Sequence, residues 1–167
     1  DELFLYAVQH VVIAPANSSS APVNGSFQLQ YGSGITSSLP HDASAFDVRR
    51  ELEALADVGA VEVERTLTPT QTSLTFDLSA DFLQLTAVDE QTDLSTLLEI
   101  GDVIFFGGES FCVGLLNDSL AVEVINLVDC ETNNVAHASG DVTQGNLSVW
   151  IDGAYTWTVT FVTVTER

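Results

Sequence analysis

Tyr155-Thr-Trp-Thr-Val-Thr-Phe161 alternates large apolar residues with threonines, and this stretch decides the class of fold. A period of two puts Tyr155, Trp157, Val159 and Phe161 on one side of an extended chain. Thr156, Thr158 and Thr160 fall on the other. One face is predicted in a core and the opposite face toward solvent or glycan. After Phe161 the phase reverses, because Val162 and Val164 continue the threonine face. A β-bulge near Phe161 restores one apolar face; the alternative is cover on the strand's second side. Upstream, residues 146–151 read as another strand, and Asp152-Gly153 reads as the turn joining the two.

The same alternation recurs along the chain. Phe27, Leu29 and Tyr31 alternate with Gln28 and Gln30, and residues 61–65 and 73–78 alternate in the same way. Residues 101–106 and 109–115 flank Gly107-Gly108, the signature of a β-hairpin. A third strand is predicted over 121–128. Only residues 45–57 read as a helix. Val48, Leu52 and Leu55 share a face there, Ser44 with Asp47 resembles a capping box, and Gly59 stands where a left-handed C-cap is expected. Arg49 and Arg50 are placed to pair with Glu53 and neighbouring acids. The predicted class is therefore mainly β with one helix: a β-sandwich-like module plus a small inserted β-unit.

The chain's first segment stands apart. Residues 1–14 contain Leu3, Phe4, Leu5, Tyr6, Val8, Val11, Val12 and Ile13. Their β-branched and aromatic character favours a strand over a helix, and apolar residues on both faces predict burial on both sides. Residues 15–24 follow as a linker, with Pro15 and Pro22 bracketing small polar residues. Fully extended, its eight residues from Pro15 to Pro22 reach about 26 Å. Such a strand is an aggregation hazard unless paired. It either folds back onto its own sheet or crosses to a neighbour as a donor strand.

Composition narrows the setting. The 167 residues carry 24 acids against four arginines and no lysine, a formal net charge of −20. That charge repels nucleic acid and anionic membranes, and no apolar run approaches the roughly 20 residues that span a bilayer. No methionine is present, so Asp1 is expected to be a processed or fragmentary start, most simply after removal of a signal peptide. Cys112 and Cys130 are the only cysteines and read as one disulfide, with two buried thiols as the alternative. Asn17, Asn24, Asn117 and Asn146 each begin an Asn-x-Ser sequon for covalent glycans.

Chemistry is not signalled. His10, His41 and His137 are isolated, no motif for a hydrolase or a phosphate loop occurs, and no catalytic residue or cofactor is expected. Acid pairs (Asp89-Glu90, Glu62 with Glu64, Asp129 with Glu131) are the candidates for Ca²⁺, although the spaced calcium loop is missing.

Residues 25–31, then Ala45-Phe-Asp-Val48 with Leu52-Glu-Ala-Leu55, then 58–63 and 155–161, resemble in that order a repeat module. It recurs in large extracellular surface and filament proteins of algae, oomycetes, other protists and bacteria. The resemblance covers 25–65 and 153–162. It implies a β-rich building block with one helix and no catalytic residues. It organises the chain as a main module of 25–65 plus 151–167, helix 45–57 included, interrupted by an inserted unit of 66–150 that holds both cysteines. A lone module implies repetition by polymerisation, or a fragment of a longer protein. The expected function is an extracellular or cell-surface filament subunit that assembles with identical subunits by β-strand addition of its N-terminal segment. The alternative is an adhesive or carbohydrate-binding module of a larger secreted protein, for which Trp150, Tyr155 and Trp157 are the candidate sugar platform.

Overall fold

The strand opened by that alternating stretch is longer than the sequence suggests. In the computed structural model, which describes residues 3–15, 21–81, 83–88, 98–119, 122–139 and 141–165, β11 runs from Gln144 to Thr165. The other elements in chain order are β1 (Leu3–Ile13), β2 (Ser26–Phe27), β3 (Gln30–Tyr31), β4 (Gly34–Ile35), β5 (Leu39–Pro40), α1 (Ala45–Glu53), β6 (Val61–Leu78), β7 (Gln84–Ala87), β8 (Val103–Phe106), β9 (Glu109–Ser119) and β10 (Val122–Val128). The protein is mainly β with a single helix among the described residues. It divides into two compact units, residues 1–68 with 151–167, and residues 69–150. β6 and β11 each contribute to both.

In the first unit the strand order is β1-β11-β6. β1 and β11 are antiparallel, with register pairs unbroken from Leu3↔Thr165 to Ile13↔Tyr155. On one face Trp157, Val159 and Val61 are buried against Val48 and Leu52 of α1 and against Leu39 and Ala43. The short ribbons β2–β5 and β3–β4 belong to the segment that supplies Phe27 and Leu29 to this core. Helix α1 begins where the sequence places it. Ser44 is the N-cap, its Oγ accepts from the Asp47 amide (3.1 Å), and its hydroxyl donates to Asp47 Oδ2 (2.6 Å). That hydrogen bond, ahead of Arg50 at 3.1 Å, holds the Asp47 carboxyl below the usual range. Arg49 pairs with Glu53 at 3.0 Å, as the spacing predicts.

The second unit closes on itself. Around it run β11, β6, β7, β10, β9 and β8, and β8 returns to β11 through Ser148↔Phe105 and Val149↔Ile104. The β6–β11 seam in this unit is tied by the Leu78 amide to Thr143 O (2.8 Å) and Thr72 Oγ1 to Leu147 O (2.7 Å). Six strands make a barrel whose interior side chains can fill. Phe76, Leu85, Ile104, Ile125, Leu127 and Leu147 do so, all with at most 1% exposure. Gly107 and Gly108, both with positive φ (60° and 86°), form the predicted hairpin between β8 and β9. Cys112 and Cys130 form the disulfide.

Several sequence expectations are corrected. Asp152-Gly153 is not a hairpin turn; β11 passes through it, with Gly153 at φ 84°. No register shift accompanies Phe161 along β1, so the pairing there continues without a bulge on that side. The helix stops at Glu53 with Ala54 as a right-handed C-cap, and Gly59 is not left-handed. Residues 61–65 and 73–78 are two ends of one strand, β6, carried through Pro69. β1 is not buried on both sides. Val8 and Val12 are 54% and 56% exposed, because only one face of the sheet meets the helix layer.

Candidate assembly strand and its seat

β1 holds no proline and no carboxylate, ammonium or guanidinium; the His10 imidazole and the Tyr6 phenol are its ionisable side chains. Nothing in it opposes an extended conformation or discourages a second strand from pairing with it. Among the described strands it has one neighbour, β11, so its other edge is an eleven-residue row of backbone donors and acceptors.

Strand periodicity sorts its side chains. Val11 and Ile13 pack on the core of the first unit, at the register positions of Trp157 and Tyr155. Both are half-buried, so each contributes roughly 1–2 kcal/mol of apolar burial. Val8, His10 and Val12 lie on the outward face, where His10 Nδ1 meets Thr158 Oγ1 at 3.2 Å. Ala7 and Gln9 are exposed. Leu3, Phe4, Leu5 and Tyr6 are members of β1 by register, opposite Thr165, Val164, Thr163 and Val162; their side chains lie outside the described set.

The seat under β1 is held by residues from elsewhere. Trp157 is fully buried; its Nε1 donates to Ala43 O at 3.0 Å, and its ring lies 5.2 Å from that of Phe27. Tyr155 carries the Arg65 guanidinium 4.5 Å above its ring. Arg65 in turn donates to the carbonyls of Asp42 (2.5 Å) and Ala43 (3.3 Å). Phe161 stacks on Tyr31 at 5.4 Å. The apolar row of β11 is therefore held from residues 27–65 as well as by Val11 and Ile13 of β1. The chain from β1 is fastened again at Val23, whose amide donates to Asp152 O at 2.8 Å.

The other sequence-predicted sites are dispersed. Asn24 and Asn146 are exposed. Asn24 Nδ2 lies 3.5 Å from Pro22 O, and Asn146 Oδ1 accepts from Thr75 Oγ1 at 3.1 Å. Asn117 is in β9, opposite Val124. Asn17, Asp89 and Glu90 lie outside the described residues. Asp129 is committed to its own turn: Oδ1 accepts from the Thr132 amide and hydroxyl (both 2.8 Å) and from the Glu131 amide (3.1 Å). The Thr132 bonds depress its pKa first among the causes. Glu62 and Glu64 are both exposed. Among the described residues no three His, Cys, Asp or Glu side chains come together as a metal site. Nor is any described helix long and apolar enough to cross a membrane. The three-residue aromatic platform does not form, because Trp157 is sealed in the core; Trp150 and Tyr155 are half-buried.

Sequence reasoning missed an open groove of about 400 Å³ across β7, β10 and β9, lined by residues such as Gln84, Leu115, Asn126 and Val135. Its lining comes from three strands and a turn, and no local motif announces it. Comparison of the chain with protein-family models, with curated proteins and with solved structures gave no match.

Proposed function

We propose that this chain is a structural subunit of an extracellular filament, in which β1 of one copy occupies the β11 edge of the next. One observation carries the reading. β1 is a long uncharged strand on a linker, its described core contacts are limited to Val11 and Ile13, and the seat beneath it is built by other residues. Exchanging β1 between copies conserves every one of those contacts, so the exchange costs little beyond the entropy of association. A donor on one side and an acceptor on the other make a head-to-tail interface, which grows open fibres when each β1 passes onward to a new copy and the rotation does not close. The resemblance to repeat modules of protist surface and filament proteins supports the same reading. The disulfide and the sequons suit an extracellular or cell-surface setting with covalent glycans. The reading assigns no catalytic residue, no cofactor and no nucleic-acid partner; Ca²⁺ is not required by it.

A second reading, a module of a larger adhesive protein, is favoured by the pairing of β1 with its own β11. Deleting residues 1–14 separates the two. Under the filament reading the full-length chain forms fibres in negative-stain electron microscopy and the deleted chain gives only particles. A full-length chain that stays particulate across salt and calcium concentrations sinks the filament reading, and fibres that survive the deletion sink strand addition as the link.

A further inference from the structure

The fastening of the β1 linker at Val23 is flanked by two dipeptides in which an Asn or Asp precedes glycine. Asp152-Gly153 lies on one side, where Asp152 O accepts from the Val23 amide at 2.8 Å. Asn24-Gly25, the chain's only Asn-Gly pair, follows Val23 on the other. At such a pair the backbone can cyclise on itself. Glycine has no Cβ, so its nitrogen can approach the side-chain carbonyl carbon of the residue before it. The two pairs differ in their surroundings. Gly153 is buried; the Val23 carbonyl oxygen fills the space where a Cβ would stand, and His41 Cδ2 lies 2.9 Å from that position. Asp152 also carries a carboxylate, whose negative charge resists a nucleophile. Asn24 and Gly25 are both exposed, Gly25 has φ 112°, and a Cβ on it would meet nothing within 4 Å. Asn24 Nδ2 reaches Pro22 O at 3.5 Å, the limit of a hydrogen bond, so its amide is lightly held.

We infer that Asn24 is a self-modification site, at which the Gly25 nitrogen attacks Asn24 Cγ and releases the side-chain amide as ammonia. Hydroxide takes the Gly25 N–H proton as the N–Cγ bond forms. The Cγ–Nδ2 bond then breaks, and Nδ2 leaves with a proton from water, which restores the hydroxide. Nothing is oxidised or reduced. Water opens the resulting cyclic imide at either of its carbonyls, giving aspartate or isoaspartate at position 24. Isoaspartate routes the main chain through Cβ and Cγ and so lengthens it by one carbon. That carbon falls between the Val23 amide, bound to Asp152 O, and Gly25 O, which accepts from the His41 amide at 3.0 Å. The two bonds cannot both keep their geometry, so the modification slackens the fastening of the β1 linker.

The same side chain heads the sequon Asn24-Gly25-Ser26. A sugar on Nδ2 changes the leaving group from ammonia to a bulky glycosylamine and covers the approach to Cγ. Glycosylation and cyclisation therefore exclude each other, and a glycan at Asn24 locks the linker that the bare side chain slowly releases. This inference goes beyond the filament reading and does not need strand exchange. Filament formation is read by microscopy and the modification by mass and amide exchange, so either can fail without the other.

The test uses the full chain secreted from a eukaryotic host that adds N-linked glycans, as wild type and as Ser26→Ala. That substitution, at an exposed position, removes the sequon and keeps Asn24-Gly25. Both are incubated at mildly alkaline pH and mapped by mass spectrometry with isoaspartyl methylation. In Ser26→Ala, Asn24 should convert faster than every other Asn, while Asp152 stays unchanged. In the wild type, Asn24 should carry a glycan and persist. NMR hydrogen exchange at the Val23 amide should quicken by about fivefold or more in the isoaspartate form. Asn24→Asp, which adds the charge without the extra carbon, should leave that rate within about twofold. An Asn24 that persists in Ser26→Ala while other Asn residues convert would overturn the inference. So would isomerisation of Asp152 at the same rate, a wild-type chain that converts as fast as Ser26→Ala, or unchanged Val23 exchange in the isoaspartate form.

Discussion

Replacing Gly153 with alanine should destabilise the first unit well beyond the usual cost of removing a glycine. Gly153 sits inside β11 at φ 84°, a conformation that costs an L-residue about 1–2 kcal/mol. The space beside it is also taken. An added Cβ would overlap the carbonyl oxygen of Val23 and stand 2.9 Å from His41 Cδ2. A backbone carbonyl cannot swing aside as a side chain can, so Val23 must move. Its amide then loses the 2.8 Å bond to Asp152 O, which is worth about 1 kcal/mol. The sum is about 2–3 kcal/mol. Gly32→Ala is the internal control in the same unit. Gly32 has φ 57°, and its nearest obstacle is Asp57 Oδ2 at 3.8 Å, so only the conformational cost applies. Urea denaturation followed by tryptophan fluorescence, with Trp157 reporting from this core, should show Gly153→Ala exceeding Gly32→Ala by about 1 kcal/mol or more. Equal costs for the two variants would refute the claim that Val23 is docked against Gly153.

Ser44→Ala, which removes the N-cap of α1, should cost about 1 kcal/mol by the same denaturation assay, and Ser44→Thr should recover most of it. Asp47, Glu51, Glu53, Asp81 and Asp129 all have depressed pKa values, chiefly from hydrogen bonds to hydroxyls and backbone amides. Their contribution is complete above the ordinary carboxylate values of 3.8 and 4.5 and is lost as pH falls through the lower folded values. Acid titration of the melting temperature should therefore show a decline confined to that range. Cys112→Ser with Cys130→Ser opens a disulfide of sequence separation 18 and should cost roughly 3 kcal/mol, read from the urea midpoint. Because subunits of charge −20 repel one another, light scattering should show faster fibre growth at 300 mM than at about 10 mM salt, where the screening length is near 30 Å.

What the sequence made legible was local. Ser44 and the Val48–Leu52 spacing located the helix, Gly107-Gly108 located the hairpin, and the count of two cysteines located the disulfide. In each case the physical cause lies within a few residues, or in simple pairing. The features it concealed are non-local. Gly153 looked like half of a turn because a glycine's positive φ serves a hairpin and a kinked strand equally well; which one is decided by Val23, far away in sequence. The β8–β11 pairing that closes the barrel joins residues about 104 and 149, and neither strand's composition names its partner. Gly59 carried a C-cap signal, but Ala54 ended the helix sooner, with its amide bonded back to Arg50 O and the Leu55 amide to Leu52 O. For the candidate site, the apolar character of β1 could be read directly. Its one-sided exposure could not, because Val8 and Val12 are as apolar as Val11 and Ile13, and only the position of the helix layer tells them apart.

Strand exchange itself is tested most directly by a covalent cross-link. His10 and Thr158 are register partners on the outward face, with side chains in contact at 3.2 Å. Directly opposed residues in an antiparallel pair are about 4.5–5.5 Å apart at Cα, within the span of a disulfide. The double variant His10→Cys, Thr158→Cys should be assembled, oxidised and run on a denaturing gel without reductant. Donation of β1 between copies predicts a ladder of covalent oligomers. Quantitative cross-linking within monomers, with no ladder from fibres that the microscope shows to be intact, would contradict it.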